Sequence, residues 1–216
     1  MMKQVSNDVT YLNDVDWSFT YDRPGTKTRF LFVDTGRTGA KGEQSGYISL
    51  SARQSIYNAL NDVPAGYHVI VVAHLLYSIT NSTFTDFGSE LVSALEAYNA
   101  RSSIVLDGET YDYVNANGEC KCIMIGHSHD NAQGVTENGI PWILTDSDNL
   151  HRSHNFTDNQ YRHQNTTTEQ CFDVVSIDYN TGDIHIVRFG AGADRDFSVS
   201  TGTWSSSNNN IILVES

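Results

Sequence analysis

Three histidines stand directly after two apolar segments that read as buried strands. His74 follows the apolar run 69–73. His127 and His129 follow the run 122–125, in the sequence Gly-His-Ser-His-Asp. Ligands of α/β sheets bind at the carboxyl ends of parallel strands, where the next loop is free to shape a site. Imidazoles two residues apart in an extended segment project to the same side. With a third imidazole from the neighbouring strand end, they predict a site for Zn, Mn, Fe or Ni.

The cysteines offer a second, softer set of ligands. Cys120 and Cys122 have the spacing to chelate a soft metal, but no second cysteine pair accompanies them. We expect them instead to be small buried hydrophobic residues on a strand. With Cys171 the chain has three cysteines, an odd number that does not fit a disulfide framework.

Other histidines and carboxylates divide into two groups. Asp146 and Asp148 follow a predicted strand, and His151 and His154 lie in the polar loop 146–170 that continues from it. Two interpretations stay open for these four residues: they line the site near a substrate phosphate or metal, or they belong to an ordinary solvated loop. His68 and His185, by contrast, lie inside predicted strands. We expect both of these to be structural.

The first half of the chain predicts a β-α-β unit. A hairpin that leads into a buried strand is predicted near the start. The signals are alternating apolar and polar residues at 17–21, a turn around Pro24 and the apolar run 29–33. A helix is predicted over 52–61, capped by Ser49 or Ser51, and a second buried strand over 67–73. This order favours a parallel pair of strands in an α/β layer. A further helix is predicted over 86–101, with strands at 104–106 and 120–126 separated by a polar, turn-rich stretch.

The second half changes character, because strands follow one another without helices. Strands are predicted over 140–145, 172–179 and 183–189, with a tight hairpin turn at 180–182 between the last two. The prediction for the whole chain is a mixed α/β fold, α/β early and antiparallel late. We expect one domain over 1–216, organised around three accessory segments: an N-terminal lead-in 1–16, the long polar loop 146–170, and a Ser/Asn-rich tail 198–216 with an exposed loop 201–210 before a short strand 211–214.

Charge excludes several classes of partner. The 216 residues carry 13 Lys and Arg against 26 Asp and Glu, a formal net charge of −13. Such a chain repels nucleic acids and anionic membranes, so phosphate chemistry would need bound cations. The sequence holds no signal-peptide core and no apolar run near the roughly 20 residues that span a bilayer. It therefore predicts a soluble protein.

These segments resemble the calcineurin-like metallophosphoesterases. The likeness spans about residues 17–197 and rests on Val-Ile-Val-Val-Ala-His at 69–74, Ile-Gly-His-Ser-His at 125–129, the helix with Leu50, Ser51 and Gln54, Tyr21 with the run 29–35, and the segments 172–175 and 188–195. The late segments look like the form of the family met in bacteriophages and gut bacteria. The resemblance implies the C-terminal part of an αββα sandwich. The localisation stays open at this point, with a phage virion and the bacterial cytoplasm as the candidates.

The resemblance also implies a two-metal hydrolase of phosphomonoesters or phosphodiesters. Two divalent ions, Mn, Fe, Zn or Ni, clamp the phosphate and activate a water for in-line attack. By position in the motifs, His74 and His127 would ligate one metal and His129 the other.

The sequence departs from the family at its start. The family motifs D-x-H, G-D-x-x-D and G-N-H-[DE] do not occur upstream of Tyr21. Three neutral imidazoles leave two divalent ions without charge compensation. We therefore expect this chain alone to be a poor hydrolase, completed by a chain or segment that carries the N-terminal half.

Two alternatives remain beside catalysis. The first is a non-catalytic assembly module, for example in a phage virion or tail, with virion proteins or further copies of this chain as partners. The second is a protein in which the histidines bind metal for structure only.

The missing ligands could also lie elsewhere in the chain. A circular permutation would take them from Asp183, His185 and the run 192–196. The turn position of Asp183 argues against this interpretation.

Overall fold

The computed structural model describes residues 8–13, 17–35, 48–78, 82–128, 131–145, 171–190 and 192–207. Its chain separates into two compact units, 1–125 and 126–216. The expectations of a single domain and of a lead-in over 1–16 stay predictions. No helix in these described ranges is both long and apolar enough to cross a membrane.

The first unit combines two α-helices with short and long strands. Its helices are α1 (Leu50–Ala59) and α2 (Asp86–Asn99), and Pro24–Thr26 forms a 3-10 turn. Its strands are β1 (Val9–Tyr11), β2 (Phe19–Arg23), β3 (Thr28–Val33), β4 (His68–Ala73), β5 (Tyr77–Ser78), β6 (Thr83–Phe84), β7 (Ser103–Leu106), β8 (Glu109–Asp112) and β9 (Glu119–Ile125).

The main sheet of the first unit is mixed, and its strands follow the order β1-β2-β3-β4-β9. β1, β2 and β3 pair antiparallel, whereas β3, β4 and β9 run parallel. The predicted β-α-β unit is therefore confirmed as β3-α1-β4. Its register places Val33 beside Ala73 and Ala73 beside Ile125, so three strands end level with one another.

One irregularity interrupts the β4–β9 ladder. Val69 pairs with Cys120, but the next residue, Ile70, pairs with Cys122, so Lys121 is the extra residue of a β-bulge. The Asn99 side chain at the end of α2 bonds both backbone groups of Cys120, accepting from its N–H at 2.7 Å and donating to its carbonyl at 3.0 Å.

A side-chain hydroxyl group caps the N-terminus of each of the two helices. Ser49 Oγ accepts a hydrogen bond from Ala52 N–H at 3.3 Å, and Thr85 Oγ1 accepts one from Gly88 N–H at 3.0 Å. α1 begins two residues before its predicted start and ends at Ala59. Both helices bury an apolar stripe, which includes Ile56 in α1 and Leu91 in α2.

The stretch between β7 and β9 contains more structure than predicted. β7 and β8 form a hairpin through Asp107 and Gly108, both at positive φ, 53° and 79°. An Asp-Gly pair is a known signal for such a tight hairpin turn. The prediction of a strand-free, turn-rich stretch was therefore wrong over Glu109–Asp112.

The second unit is built from antiparallel strands. They are β10 (Ala132–Val135), β11 (Pro141–Leu144), β12 (Cys171–Ile177), β13 (Ile184–Gly190), β14 (Asp194–Ser198) and β15 (Thr203–Ser207). β10 pairs with β11, and the last four form a sheet in chain order. This confirms the antiparallel pairing predicted for the second half.

The Ser-rich segment near the end of the chain corrects the prediction of an exposed loop over 201–210. Thr203–Ser207 pairs with β14 along its whole length. Trp204 fixes the strand, since its ring contacts Phe197 and its Nε1–H donates to the Gly134 carbonyl at 2.9 Å. One aromatic residue among serines gives no visible alternation, which is why the pattern missed the strand. The predicted strand 211–214 and the loop 146–170 lie outside the described residues.

Gly118, just before β9, is a position where we expect a substitution to lower the stability of the fold sharply. An added Cβ would lie 2.4 Å from Tyr98 Oη, 2.6 Å from Val63 Cγ1 and 2.8 Å from the Tyr67 carbonyl. We expect Gly118→Ala to lower the free energy of unfolding by about 1–3 kcal/mol, measured by urea denaturation. The matched control is Gly25→Ala, where nothing lies within 4 Å. An equal loss in both variants would contradict the steric explanation.

Candidate functional site

Polar residues leave the sheet of the first unit at one edge. Asp34 follows β3 and His74 follows β4, while the chain passes from β9 into Gly126. Because Val33, Ala73 and Ile125 are level in the ladder, Asp34 and His74 start from the same edge. The predicted placement of His74 directly after a buried parallel strand is confirmed, and the structure shows that the residue is exposed. Its role as a metal ligand stays a prediction.

Buried hydroxyl groups hold the backbone at this edge. Thr35 Oγ1 accepts a hydrogen bond from Leu75 N–H at 2.7 Å. Ser18 Oγ accepts one from Asp34 N–H at 3.0 Å, and Asp34 Oδ2 accepts one from Trp17 N–H at 3.2 Å. Backbone groups that the ladder no longer pairs thus find side-chain partners. The edge is therefore tied on both sides of Asp34.

Asp34 is a candidate that the search for metal ligands in the sequence did not single out. The available signal was the one used for His74, a polar residue directly after a buried parallel strand. A carboxylate beside an imidazole also supplies negative charge, which the three histidines lack. Asp34 is thus a neighbour of His74 at this edge.

His127 sits in a strained turn. Its φ is +76°, and Ser128 N–H donates to the Gly126 carbonyl at 3.0 Å. A hydrogen bond from residue i+2 to residue i around a central φ near +75° is a classic-type γ-turn, which is rare and strained. The extended backbone predicted for this segment was therefore wrong at His127. That the imidazoles of His127 and His129 project to the same side stays a prediction, because His129 lies outside the described residues. Non-glycine residues in such conformations cluster at functional sites.

The remaining predicted site residues lie outside the described part of the chain. They are His129, Asp146, Asp148, His151 and His154. Within the described ranges, no three His, Cys, Asp or Glu side chains come together as a group able to hold a metal ion. Imidazole is a suitable donor for the expected metals, but this donor set is incomplete.

The two neighbouring cysteines are structural. Cys120 and Cys122 are free thiols buried in β9. Burial raises the pKa of Cys120 to about 12 and raises that of Cys122 as well. Because a thiolate is the form that binds metals, protonated buried thiols are poor ligands. The expectation of small buried hydrophobic residues is confirmed.

Because these two thiols are buried, we expect the folded protein to lose stability at alkaline pH. An unfolded thiol loses its proton near the ordinary pKa of 9.0, whereas folded Cys120 keeps it up to about 12. The folded state thus binds more protons in this window, and the free energy of unfolding falls as pH rises. We expect the free energy of unfolding to fall by up to about 1.4 kcal/mol per pH unit for each thiol. Urea denaturation between about pH 8 and pH 10 measures this slope. Cys120→Ala should reduce the slope. An unchanged slope would contradict the assignment.

His68 and His185 lie in β4 and β13, inside strands as predicted. Burial lowers the pKa of His68. Nδ1 of His185 contacts Asp196 Oδ1 on the neighbouring strand β14, and both side chains are about half exposed. His185 is thus an exposed histidine with a carboxylate partner, outside the candidate motif.

Comparison with solved structures adds a structural likeness. No protein-family model and no curated protein matches the sequence. Among solved structures, the chain is similar to a dimetal phosphatase from Danio rerio, with a TM-score of 0.49 and 10% sequence identity. The match covers 85% of this chain and 60% of that protein, so this chain spans less than two thirds of its length. The architecture is mixed α/β, as predicted.

Proposed function

We propose that this chain takes part in metal-dependent hydrolysis of phosphoesters. His74, His127 and His129 are each proposed as metal ligands, with two divalent ions as cofactors. The carboxylates that such ions need come, in this proposal, from a segment or chain that carries the missing family motifs. The chain alone is expected to hydrolyse slowly or not at all.

The strained turn at His127 is the observation that carries this proposal. A γ-turn at φ +76° costs conformational energy that glycine would avoid. The strained position nevertheless holds an imidazole. A histidine there is understandable if the ring has a task, and metal ligation is the task that the Gly-His-Ser-His resemblance implies.

The strands β3, β4 and β9 end level with one another in the first unit, and this arrangement supports the same proposal. His74 is exposed at the carboxyl edge of the parallel strands, where α/β sheets bind ligands. Asp34 starts from the same edge and adds a negative charge. When bound, metal ions would supply a hydroxide and offset the repulsion between an acidic chain of net charge −13 and a phosphate. The residues of this chain hold the ions and set the geometry of the edge.

Metal content and turnover test the proposal together. The chain is purified with and without a segment that carries the D-x-H, G-D-x-x-D and G-N-H-[DE] motifs, then assayed for bound metal and for cleavage of a chromogenic phosphoester. We expect metal uptake and hydrolysis in the completed assembly, and loss of both after chelation. No metal and no hydrolysis in the completed assembly would overturn the proposal.

A second candidate function is a non-catalytic assembly module, and one observation favours it. The β12–β13 pair exposes Phe172, Val174 and Phe189, whose two rings stack with centroids 4.8 Å apart. Exposed apolar patches on a sheet often mark interfaces. If copies of this chain assemble through this face, Phe172→Ser with Phe189→Ser should reduce the oligomeric state measured by light scattering. An unchanged oligomeric state would count against this function.

A further inference from the structure

The face of the main sheet that packs on α1 carries polar side chains where a core is expected. Directly paired residues of neighbouring strands share a face, so Thr10, Thr20 and Leu31 lie on one side of the sheet. Arg29 lies two residues before Leu31 and therefore shares this face. Leu31 is a core residue, but Thr20 and Arg29 are buried as well. This side of the sheet is thus buried without being apolar.

A cavity of about 410 Å³ lies between this face and the end of α1. Its volume falls within the range of about 300–1,000 Å³ that is usual for small-molecule sites. The polar residues that line it are Thr10, Thr20, Arg29, Ser55, Asn58 and Asp62. The cavity belongs to the first unit alone, and five residues of β3, about 16 Å, separate Arg29 from Asp34 at the opposite edge.

The Arg29 guanidinium has hydrogen-bond donors to spare in this cavity. Its Nε and Nη2 donate to the Asp22 carboxylate at 2.7 and 2.6 Å, and its Nη1 donates to the Ala59 carbonyl at 3.2 Å. A guanidinium carries five N–H groups, so two of them find no protein acceptor in the described part of the chain. The side chain is only 10% exposed, and a buried donor left without an acceptor is costly.

The Thr20 hydroxyl is a second group in this cavity without a protein partner. Thr20 is 4% exposed and lines the cavity, and no residue in the described ranges forms a hydrogen bond with its Oγ1. Buried polar groups are nearly always hydrogen-bonded, and valine has the same shape without this requirement. A threonine at this position is explained by a bound molecule that pairs with its hydroxyl.

The charges around the cavity favour a neutral ligand. Asp22 already neutralises Arg29, while Asp62 and the carbonyl end of α1 add negative charge, which disfavours an anion. A cation would be repelled by Arg29 and could not accept its spare N–H groups. A hydroxyl group both accepts and donates hydrogen bonds, so it suits Arg29 and Asp62 alike.

We propose that this cavity binds a small neutral polyol, of the class of monosaccharides and cyclitols. Arg29 donates to the hydroxyl oxygens of the ligand, Thr20 pairs with a further hydroxyl, and Asp62 accepts from the ligand at the rim. None of these residues is a candidate metal ligand, so the site does not depend on the proposed hydrolysis.

Titration of the full chain with four small probes tests the class of ligand. D-glucose and myo-inositol are neutral polyols, whereas glucuronate carries a carboxylate and glucosamine an ammonium group. The backbone amide NMR signals of Thr20 and Arg29 report on the cavity. We expect the neutral probes to shift both signals and the charged probes to bind more weakly. A response to both neutral probes assigns polyols in general, and a response to one alone assigns sugars or cyclitols.

Replacing Thr20 with valine separates binding from folding. Thr20→Val should weaken binding of the neutral probes by about 2- to 13-fold, the effect of losing one hydrogen bond. Because the variant removes a buried hydroxyl without a protein partner, the midpoint of urea denaturation should stay in place or rise. The control is Thr28→Val, which removes a hydroxyl of the same sheet that bonds Thr26 and does not line the cavity. It should leave binding unchanged.

Filling the cavity from the helix gives an independent check. Ser55 lines the cavity from α1, and its Oγ donates to the Ser51 carbonyl at 2.9 Å. Ser93 in α2 makes the same bond to the Ser89 carbonyl at 2.9 Å but lies away from the cavity. We expect Ser55→Phe to abolish binding of the neutral probes, and Ser93→Phe to leave it unchanged.

Three results would overturn the inference. If no probe shifts the signals of Thr20 and Arg29, the cavity holds only water. If the charged probes bind as tightly as the neutral ones, the class of ligand is wrong. If binding survives both Thr20→Val and Ser55→Phe at full affinity, the polyol binds elsewhere on the chain. The proposed hydrolysis is untouched by each of these results, because it is measured by metal content and turnover.

Discussion

Replacing His127 with glycine is expected to abolish metal-dependent hydrolysis and, at the same time, to stabilise the fold. Loss of a residue that merely orients a metal ligand commonly costs 10–100-fold, so loss of the ligand itself should lower kcat/KM by more than about 100-fold. Glycine adopts a φ of +76° without the steric cost that a Cβ carries there. The free energy of unfolding should therefore rise by about 1 kcal/mol.

Two matched variants separate these effects. His127→Ala removes the same imidazole but keeps the Cβ, so activity is lost without a gain in stability. His185→Ala removes an exposed histidine that contacts Asp196 in a different part of the second unit, and it should leave hydrolysis unchanged. Steady-state kinetics of the completed assembly and urea denaturation of each variant measure the two quantities. Full activity in His127→Gly would rule out ligation by this residue.

Removing the carboxylate of Asp173 is expected to give the largest loss of stability in the second unit. Arg188 donates to Asp173 through Nε at 2.6 Å and Nη2 at 2.9 Å, and Arg195 donates through Nη2 at 2.6 Å. All three side chains are at most 5% exposed. Asp173→Ala would leave both guanidinium groups buried without this carboxylate, which should cost about 3–5 kcal/mol.

The control for Asp173 is a carboxylate of the same sheet that stays in water. Asp196 contacts His185 with both side chains about half exposed, so Asp196→Ala should change the free energy of unfolding by less than about 1 kcal/mol. Urea denaturation measures the free energy of unfolding of both variants. Tryptophan fluorescence follows it once Trp17 and Trp142 are replaced by Phe in the parent chain, so that the signal comes from Trp204 of this sheet. Equal effects of the two substitutions would show that burial does not set the cost.

The sequence predicted the features that repeat with a clear period. The β3-α1-β4 unit followed from two apolar runs around a helix with a 3.6-residue period, and the β12–β13 hairpin from a turn signal between alternating strands. β15 was missed because its pairing depends on one tryptophan. Such a strand is fixed by tertiary contacts rather than by its own pattern.

The candidate site was predictable in its residues but not in its backbone. Position after a buried strand was enough to select His74 and would have selected Asp34. The positive φ of His127 had no signal in the sequence, since residues other than glycine rarely adopt it. The burial of Asp173 with Arg188 was also invisible, because alternation along a strand assigns charged residues to the solvent side.

The bulge at Lys121 sets the register between β4 and the end of β9. If Lys121 were paired like its neighbours, a regular ladder that starts with His68 beside Glu119 would bring Met124 level with Ala73 instead of Ile125. Each residue of slip moves the chain by about 3.3 Å and turns its side chains to the opposite face. Asn99 holds the backbone beside the extra residue by hydrogen bonding both backbone groups of Cys120. A single amide at the end of α2 thus supports the bulge that makes β4 and β9 end level with one another, and deleting Lys121 would remove the bulge while leaving Ile125 beside Ala73.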